Sequence, residues 1–158
     1  MSKILVTYYT RSGHTQRMAE AIFNELKELG ATVDLVKVDD INYAALPEYD
    51  AFIIGSPNYF GTMTGEVKTF FDKSVRHYRK LNGKVAAAFT SEGMIGGGGD
   101  AVVLDILKAC LVHGMVTQGY TEIGHWGPVS IGDPDKRVLD ECMVLAKDTF
   151  ELVNKLFS

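Results

Sequence analysis

The sequence predicts an open, parallel α/β sheet with helices on both faces, and three observations carry that expectation. Apolar runs of strand length alternate with segments whose apolar residues recur at helical spacing, along the whole chain. Two of the runs, AFIIGS (Ala51 to Ser56) and KVAAAFT (Lys84 to Thr90), are apolar almost throughout, as strands covered on both faces require. No repeat, linker or low-complexity tract interrupts the alternation, so the 158 residues are expected to form a single domain spanning 1–158.

Each element has its own signal. Ile4 to Tyr9 reads as a first strand, followed by a helix on Met18, Ile22, Leu26 and Leu29 that Gly30 closes. TVDLVKV, Thr32 to Val38, alternates weakly and suits a sheet edge; Ala51 to Ser56 suits the centre. Thr64 stands where a helix cap belongs, ahead of Glu66 and of Val67, Phe70, Phe71, Val75 and Tyr78. After Lys84 to Thr90, a glycine-rich stretch opens onto a helix through Val103, Leu104, Leu107, Cys110 and Leu111, ended by Gly114. Met115 to Tyr120 is assigned as the fifth strand and TEIGHWGPVSIG as a loop. Asp133-Pro134 is assigned as the start of a last helix carrying Val138, Cys142, Leu145 and Val153.

Composition excludes several function classes. Sixteen Lys and Arg against twenty Asp and Glu leave a net charge of -4, with no basic cluster beyond RHYRK at Arg76 to Lys80, so nucleic acid is not an expected partner. No apolar run approaches the ~20 residues of a membrane span, and MSKILV lacks the pattern of a secretory leader, so a cytoplasmic location is expected. The two cysteines, Cys110 and Cys142, lie in helical apolar patterns without CxxC spacing, and the four histidines are scattered. Reduced core thiols and no metal site are the expectation.

In an open parallel sheet, ligands bind beyond the carboxyl ends of the strands, where the strand order reverses. The loops expected there carry the chemistry. In the first, Thr10, Ser12 and Thr15 offer hydroxyls, Gly13 lets backbone approach closely, and a helix begins nearby with unpaired N–H groups at its positive end. That set suits a phosphate; it equally suits Ser12 as a plain helix cap and Thr10 as a strand-end residue. GxxxxGK[ST] is missing, and no GxGxxG follows the first strand, which disfavours a nucleoside triphosphatase or a dinucleotide-binding domain.

The second loop, SPNYFGTMTG, places Pro57, Asn58, Tyr59, Phe60 and Gly61 directly after the central strand. One aromatic is expected in the core, while aromatics and amides at such an edge suit a flat ring with a polar rim. The third, TSEGMIGGGG, frees backbone N–H groups through Gly93 and Gly96 to Gly99, or simply forms a flexible crossover. The fourth, GHWGP, adds His125 and Trp126, the latter a candidate lid.

Thr10-Arg11-Ser12-Gly13-His14-Thr15 resembles the phosphate loop of the flavodoxins. GSPNYFGTMTGEVKTFFD, with HGM at His113 to Met115, is similar to the flavodoxin-like NAD(P)H:quinone oxidoreductases of the tryptophan-repressor-binding-protein type. The resemblance covers nearly the whole chain. It implies a flavodoxin-like fold, a five-stranded parallel sheet in the order 2-1-3-4-5, and noncovalent FMN. It further implies that Thr10, Arg11, Ser12, Gly13, His14 and Thr15 hold the FMN phosphate, with Arg11 and His14 acting through backbone N–H groups. Pro57, Asn58, Tyr59, Phe60 and Gly61 would contact the ribityl chain and ring, and Thr90, Ser91, Gly93 and Gly96 would approach the ring from the third loop. The chain departs from those reductases in shorter segments at VDDINYAALPEYD and GYTEIGHWGP, in Val112 standing where they carry the first of two histidines, the one near the flavin, and in SVRHYRKLNGK before the fourth strand. These departures bear on the acceptor and on assembly as a homo-oligomer.

Two function classes follow. One is an FMN-dependent oxidoreductase passing electrons from NADH or NADPH to a quinone or similar small acceptor, in which the flavin carries the chemistry and His113, His125 and Tyr59 are candidates to steer acceptor or proton. The other is a flavodoxin-type electron carrier docking to redox proteins. A net charge of -4 is mild for a carrier steered by acidic patches, whereas the short length suits one.

Overall fold

Every strand of the sheet enters from the same edge and leaves toward the same edge. The computed structural model describes residues 2–157. It contains β1 (Lys3–Tyr8), α1 (His14–Glu28), β2 (Thr32–Lys37), β3 (Ala51–Pro57), α2 (Gly65–Ser74), β4 (Val85–Glu92), α3 (Gly99–Val112), β5 (Val129–Ile131) and α4 (Lys136–Phe157). The five strands form one parallel sheet in the order β2-β1-β3-β4-β5.

Alternation along the inner strands divides the core in two. Ile4, Val6, Tyr8, Ile53, Ala87 and Phe89 face α1 and α4, where Met18, Ile22, Leu26, Cys142 and Leu145 cover them. Leu5, Phe52, Ile54, Ala86 and Ala88 face α2 and α3, against Val67, Phe70, Val102, Val103 and Ile106. Most of these side chains are fully buried, and each large one stabilises the fold by about 1.5–3 kcal/mol. β2, paired only with β1, keeps intermediate exposure at its four central residues, as an edge strand does.

Gly55 is a steric requirement of this sheet. It pairs with Phe89 across β3 and β4, and a Cβ there would meet the Phe89 ring at 2.2 Å. Both predicted C-terminal glycines also hold: Gly30 and Gly114 have positive φ, and the next N–H in each case returns to the last turn, Ala31 to Leu26 O and Met115 to Cys110 O. Thr64 caps α2, its hydroxyl accepting from the Val67 N–H.

The expected fifth strand is corrected. Met115 to Tyr120 contributes only an isolated bridge, Val116 with Val85, before the chain leaves the sheet; it returns as β5, three residues within the expected loop. Gln118-Gly119 and Gly124 to Gly127 let the backbone detour, and Thr90 N–H is met by Pro128 O on its return. The last helix begins two residues later than Asp133-Pro134 implies. Asp135 is its cap, accepting from Val138 N–H at 2.9 Å, while Asp133 pairs with Arg17 at 2.6 Å. Leu104, Leu111, Val75 and Tyr78, expected in the helical core pattern, are exposed. Cys110 and Cys142 are free and buried, and burial pushes both thiols up to about 12. Among the described residues no helix is long and apolar enough to cross a membrane.

Candidate functional site

The strand order reverses between β1 and β3, and the loops following β1, β3 and β4 meet at that carboxyl edge. The first loop turns tightly: Gly13 donates its N–H to Thr10 Oγ1 at 3.0 Å and adopts φ 94°, which admits the chain into α1 at His14. Nothing lies within 4 Å of the position a Gly13 Cβ would occupy, so the glycine is there for its backbone angle and not for crowding. Ser12 makes no cap bond and is exposed, as is Arg11. The first N–H groups of α1 have no partner inside the helix and lie at its positive end. Thr15 is different from the other hydroxyls: it is buried, and its Oγ1 pairs with Ser91 Oγ at 2.9 Å.

The second loop is a small hairpin in which Tyr59 and Thr62 exchange backbone hydrogen bonds. Phe60 at its tip has φ 55° and is fully exposed at 108%. Tyr59 is only half-buried, so neither aromatic joins the core; the short turn leaves no strand on which one could point inward. Thr62 Oγ1 donates to Asp105 on α3 at 2.6 Å, and Lys108, then Thr62, hold that carboxyl below the usual range. At the hairpin's base, Thr64 N–H donates to Ser56 Oγ, and Thr90 Oγ1 donates to Ser56 O at 2.6 Å.

Asn58 joins the second loop to the third. Its amide donates to Glu92 Oε2 at 3.0 Å and to Gly97 O at 2.7 Å, and its Oδ1 accepts from Gly61 N–H at 2.8 Å. The Asn58 backbone N–H donates to Ser91 O. Asn58, Phe60, Gly61, Glu92, Gly93, Met94 and Gly97 line a depression of about 410 Å³, with Met94 and Ile95 exposed on the third loop.

A family model described as NADPH-dependent FMN reductase matches residues 42–124, which include the second and third loops. The curated NAD(P)H dehydrogenase (quinone) of Archaeoglobus fulgidus is 31% identical over 190 residues, covering 99% of this chain and 100% of the relative. The chain belongs to the NADPH-dependent FMN reductase family. A curated flavodoxin of Aquifex aeolicus is 34% identical over 142 residues, 85% of this chain and 77% of that one. A solved flavodoxin from the domain Archaea superposes with a TM-score of 0.80 at 28% identity, covering 96% of this chain and 99% of the other.

The carboxyl edge of this FMN reductase family member gathers Thr10 to Thr15, Pro57 to Gly61, and Thr90, Ser91, Gly93 and Gly96. It does not gather three other sequence candidates. His113 ends α3, a helix of 14 residues and so about 20 Å long, whose other end meets the third loop. It is buried there against α2, its Nε2 2.7 Å from Ser74 Oγ. Because the Ser74 hydroxyl donates to Phe71 O, this contact assigns the Nε2–H tautomer. Burial, then His77, lowers the His113 pKa. His113 is therefore corrected from acceptor-steering candidate to a structural imidazole. Trp126 and His125 line a separate depression on the flank of α3 with Leu104, Leu107 and Leu111, and His125 Nδ1 meets Tyr120 O. The detour before β5 carries Trp126 to that flank, away from the lid position expected of it.

Sequence reading missed Glu92. As the last residue of β4 it follows Ser91 in the strand register, and only the pairing with Asn58 reveals that it turns into the depression. A charged residue between a buried strand and a glycine run was the available signal.

Proposed function

We propose that the chain binds FMN across the three loops and passes electrons from NADH or NADPH to a quinone or similar small acceptor. The observation that carries this reading is the joining of an anion-suited helix start to an amide-rich depression at the strand-order reversal, in a chain of this family. The residues fit the group. Gly13 leaves open space at the α1 N-terminus, Gly61 does so on the hairpin, and the exposed Ser12 and half-buried Thr10 keep hydroxyl protons to donate. The phosphate is assigned to Thr10 to Thr15, with His14 and Thr15 contributing N–H groups, and the ring to the depression between the second and third loops.

Bound FMN supplies the hydride chemistry; the chain supplies position and surroundings. Buried Thr15 and Ser91 lock the first loop to the third, Asn58 locks the third to the second, and Tyr59 and Phe60 stand beside the ring site with no core packing of Phe60 to lose on contact. No side chain at this edge is needed as acid or base. The acceptor is assigned to the mouth formed by Phe60, Met94 and Ile95, all exposed and apolar.

The test is anaerobic. FMN-loaded protein is mixed with NADH, then NADPH, flavin bleaching is followed, and a quinone is added. Bleaching by either nucleotide, reversed by quinone, is the expected result; none with either overturns the reductase reading. The carrier reading is favoured by the archaeal flavodoxin that matches nearly end to end, by the Aquifex aeolicus flavodoxin and by the short chain. It is the result if neither nucleotide bleaches the flavin while stepwise chemical reduction accumulates a half-reduced form.

A further inference from the structure

Glu92 and Asn58 form a clasp whose carboxylate the assigned chemistry does not use. Asn58 spends both amide protons and its carbonyl oxygen within the protein, on Glu92, Gly97 and Gly61, so three segments are held by one side chain. The glycine loop passes close to the same carboxylate. A Cβ on Gly97 would meet Met94 O at 3.0 Å and Glu92 Oε2 at 3.2 Å, and one on Gly99 would meet Val129 Cγ1 at 2.6 Å and Glu92 Oε2 at 2.9 Å, so the carboxylate lies among the groups for which these two glycines leave room. Gly99 is the first residue of α3, which places the carboxylate against the positive end of that helix. The same side chain lines the depression with Phe60, Gly61 and Met94.

We infer that Glu92 is a positioning and tuning residue: through Asn58 it fixes the hairpin to the glycine loop, and its charge holds down the reduction potential of the bound flavin. The inference rests on the FMN reading of the site. Hydride transfer adds one proton and two electrons to the flavin, and therefore one negative charge. A carboxylate lining the ring site disfavours that charge and also offsets the helix end that would otherwise favour it. The oxidised ring, neutral, is indifferent to the carboxylate's charge but depends on the clasp's geometry.

Three variants separate the two parts. Glu92→Gln keeps an oxygen for Asn58 and removes the charge. Dissociation of oxidised FMN is expected within about twofold of wild type, while reduced FMN binds about tenfold tighter, a rise of about 30 mV for a two-electron couple. Asn58→Ala and Glu92→Ala open the clasp: oxidised FMN is expected to bind about tenfold more weakly. In the FMN-free protein, amide exchange at Gly61 and through the glycine loop is expected to accelerate, with Glu92→Gln restoring the wild-type rate. The readouts are FMN titration, a potentiometric titration of the loaded protein, and hydrogen exchange without FMN. An oxidised-to-reduced affinity ratio in Glu92→Gln equal to that of wild type overturns the inference and leaves the FMN site standing. Equal weakening of both redox states in Glu92→Gln assigns a merely structural role and overturns it too. Wild-type protein that takes up no FMN overturns the site reading, and the tuning with it.

Discussion

The two edges of the sheet are held together by different means. At the amino edge, side chains pair with side chains: Lys3 with Asp34 and Glu48, Lys84 with Asp50, and the Tyr49 hydroxyl with Asp34 at 2.7 Å. At the carboxyl edge the first strands end in loops joined through backbone and short polar side chains, Thr10, Thr15, Ser56, Asn58 and Ser91, with the Glu92 carboxylate held by Asn58 and glycines at the turns. The amino edge can satisfy its polar groups internally because nothing else needs them. The carboxyl edge holds its loops at fixed spacing yet leaves helix-end N–H groups and exposed apolar side chains free for a ligand. Substitutions should therefore separate, with amino-edge changes read out in stability and carboxyl-edge changes in FMN affinity.

The largest effect is expected where the edges share a strand pair. Gly55→Ala drives a methyl into the Phe89 ring, and such overpacking costs about 1–3 kcal/mol. Since β3 and β4 carry the second and third loops, FMN affinity should fall together with the urea midpoint, and Phe89→Leu in the same chain should restore part of both. Unchanged stability would mean that the ring moves freely, against a core in which Phe89 is fully buried.

Next, Thr10→Ala with Ser12→Ala removes two hydroxyls from the loop proposed to hold the phosphate. FMN affinity is expected to weaken by about 1–3 kcal/mol, since hydrogen bonds to a charged group are lost, with the urea midpoint lowered by less, through the lost Gly13 N–H to Thr10 Oγ1 bond. A fluorescence titration checks the first and a denaturation curve the second. A large fall in stability with intact affinity would reverse the comparison between the edges.

Tyr49→Phe is the matching test at the other edge. The hydroxyl donates to Asp34, and burial, then that hydrogen bond, pushes the phenol well above its ordinary range. Its loss is expected to lower stability by about 1 kcal/mol near neutral pH and to leave FMN affinity as in wild type.

How much of this was legible depends on the range of the interaction. The two buried strands, both glycine-terminated helices and the Thr64 cap are local patterns, and they were read from Ala51 to Ser56, from Gly30 and Gly114, and from Thr64 itself. The tight turn at Gly13 that opens α1 was legible for the same reason, lying within six consecutive residues. What was misread depends on distant partners. Val116 reads as strand because nothing local shows that β4 accepts it for a single bridge before taking Val129 instead. Thr15 was expected to face a ligand, but its hydroxyl is directed to Ser91, 76 residues away. His113 and Trp126 looked like site residues by type, and the length of α3 and the detour before β5 carry them elsewhere.

His113 provides the smallest of the expected effects and a final check on the separation of the edges. The imidazole is buried at the C-terminal end of α3; its Nδ1, and that of neighbouring His77, find no partner among the described residues. Burial, followed by the charge of His77, lowers its pKa in the folded state below the ordinary value of about 6.5. The unfolded chain then binds more protons than the folded one between those two values, so stability rises with pH across that window. The associated stability is fully present above about pH 6.5 and is lost as pH falls toward the lowered folded value. His113→Gln, able to donate to Ser74 without titrating, should flatten the pH dependence of the urea midpoint below pH 6.5 while FMN affinity follows wild type at each pH. A pH-dependent change in FMN affinity on that substitution alone would place His113 in communication with the carboxyl edge and undo the separation.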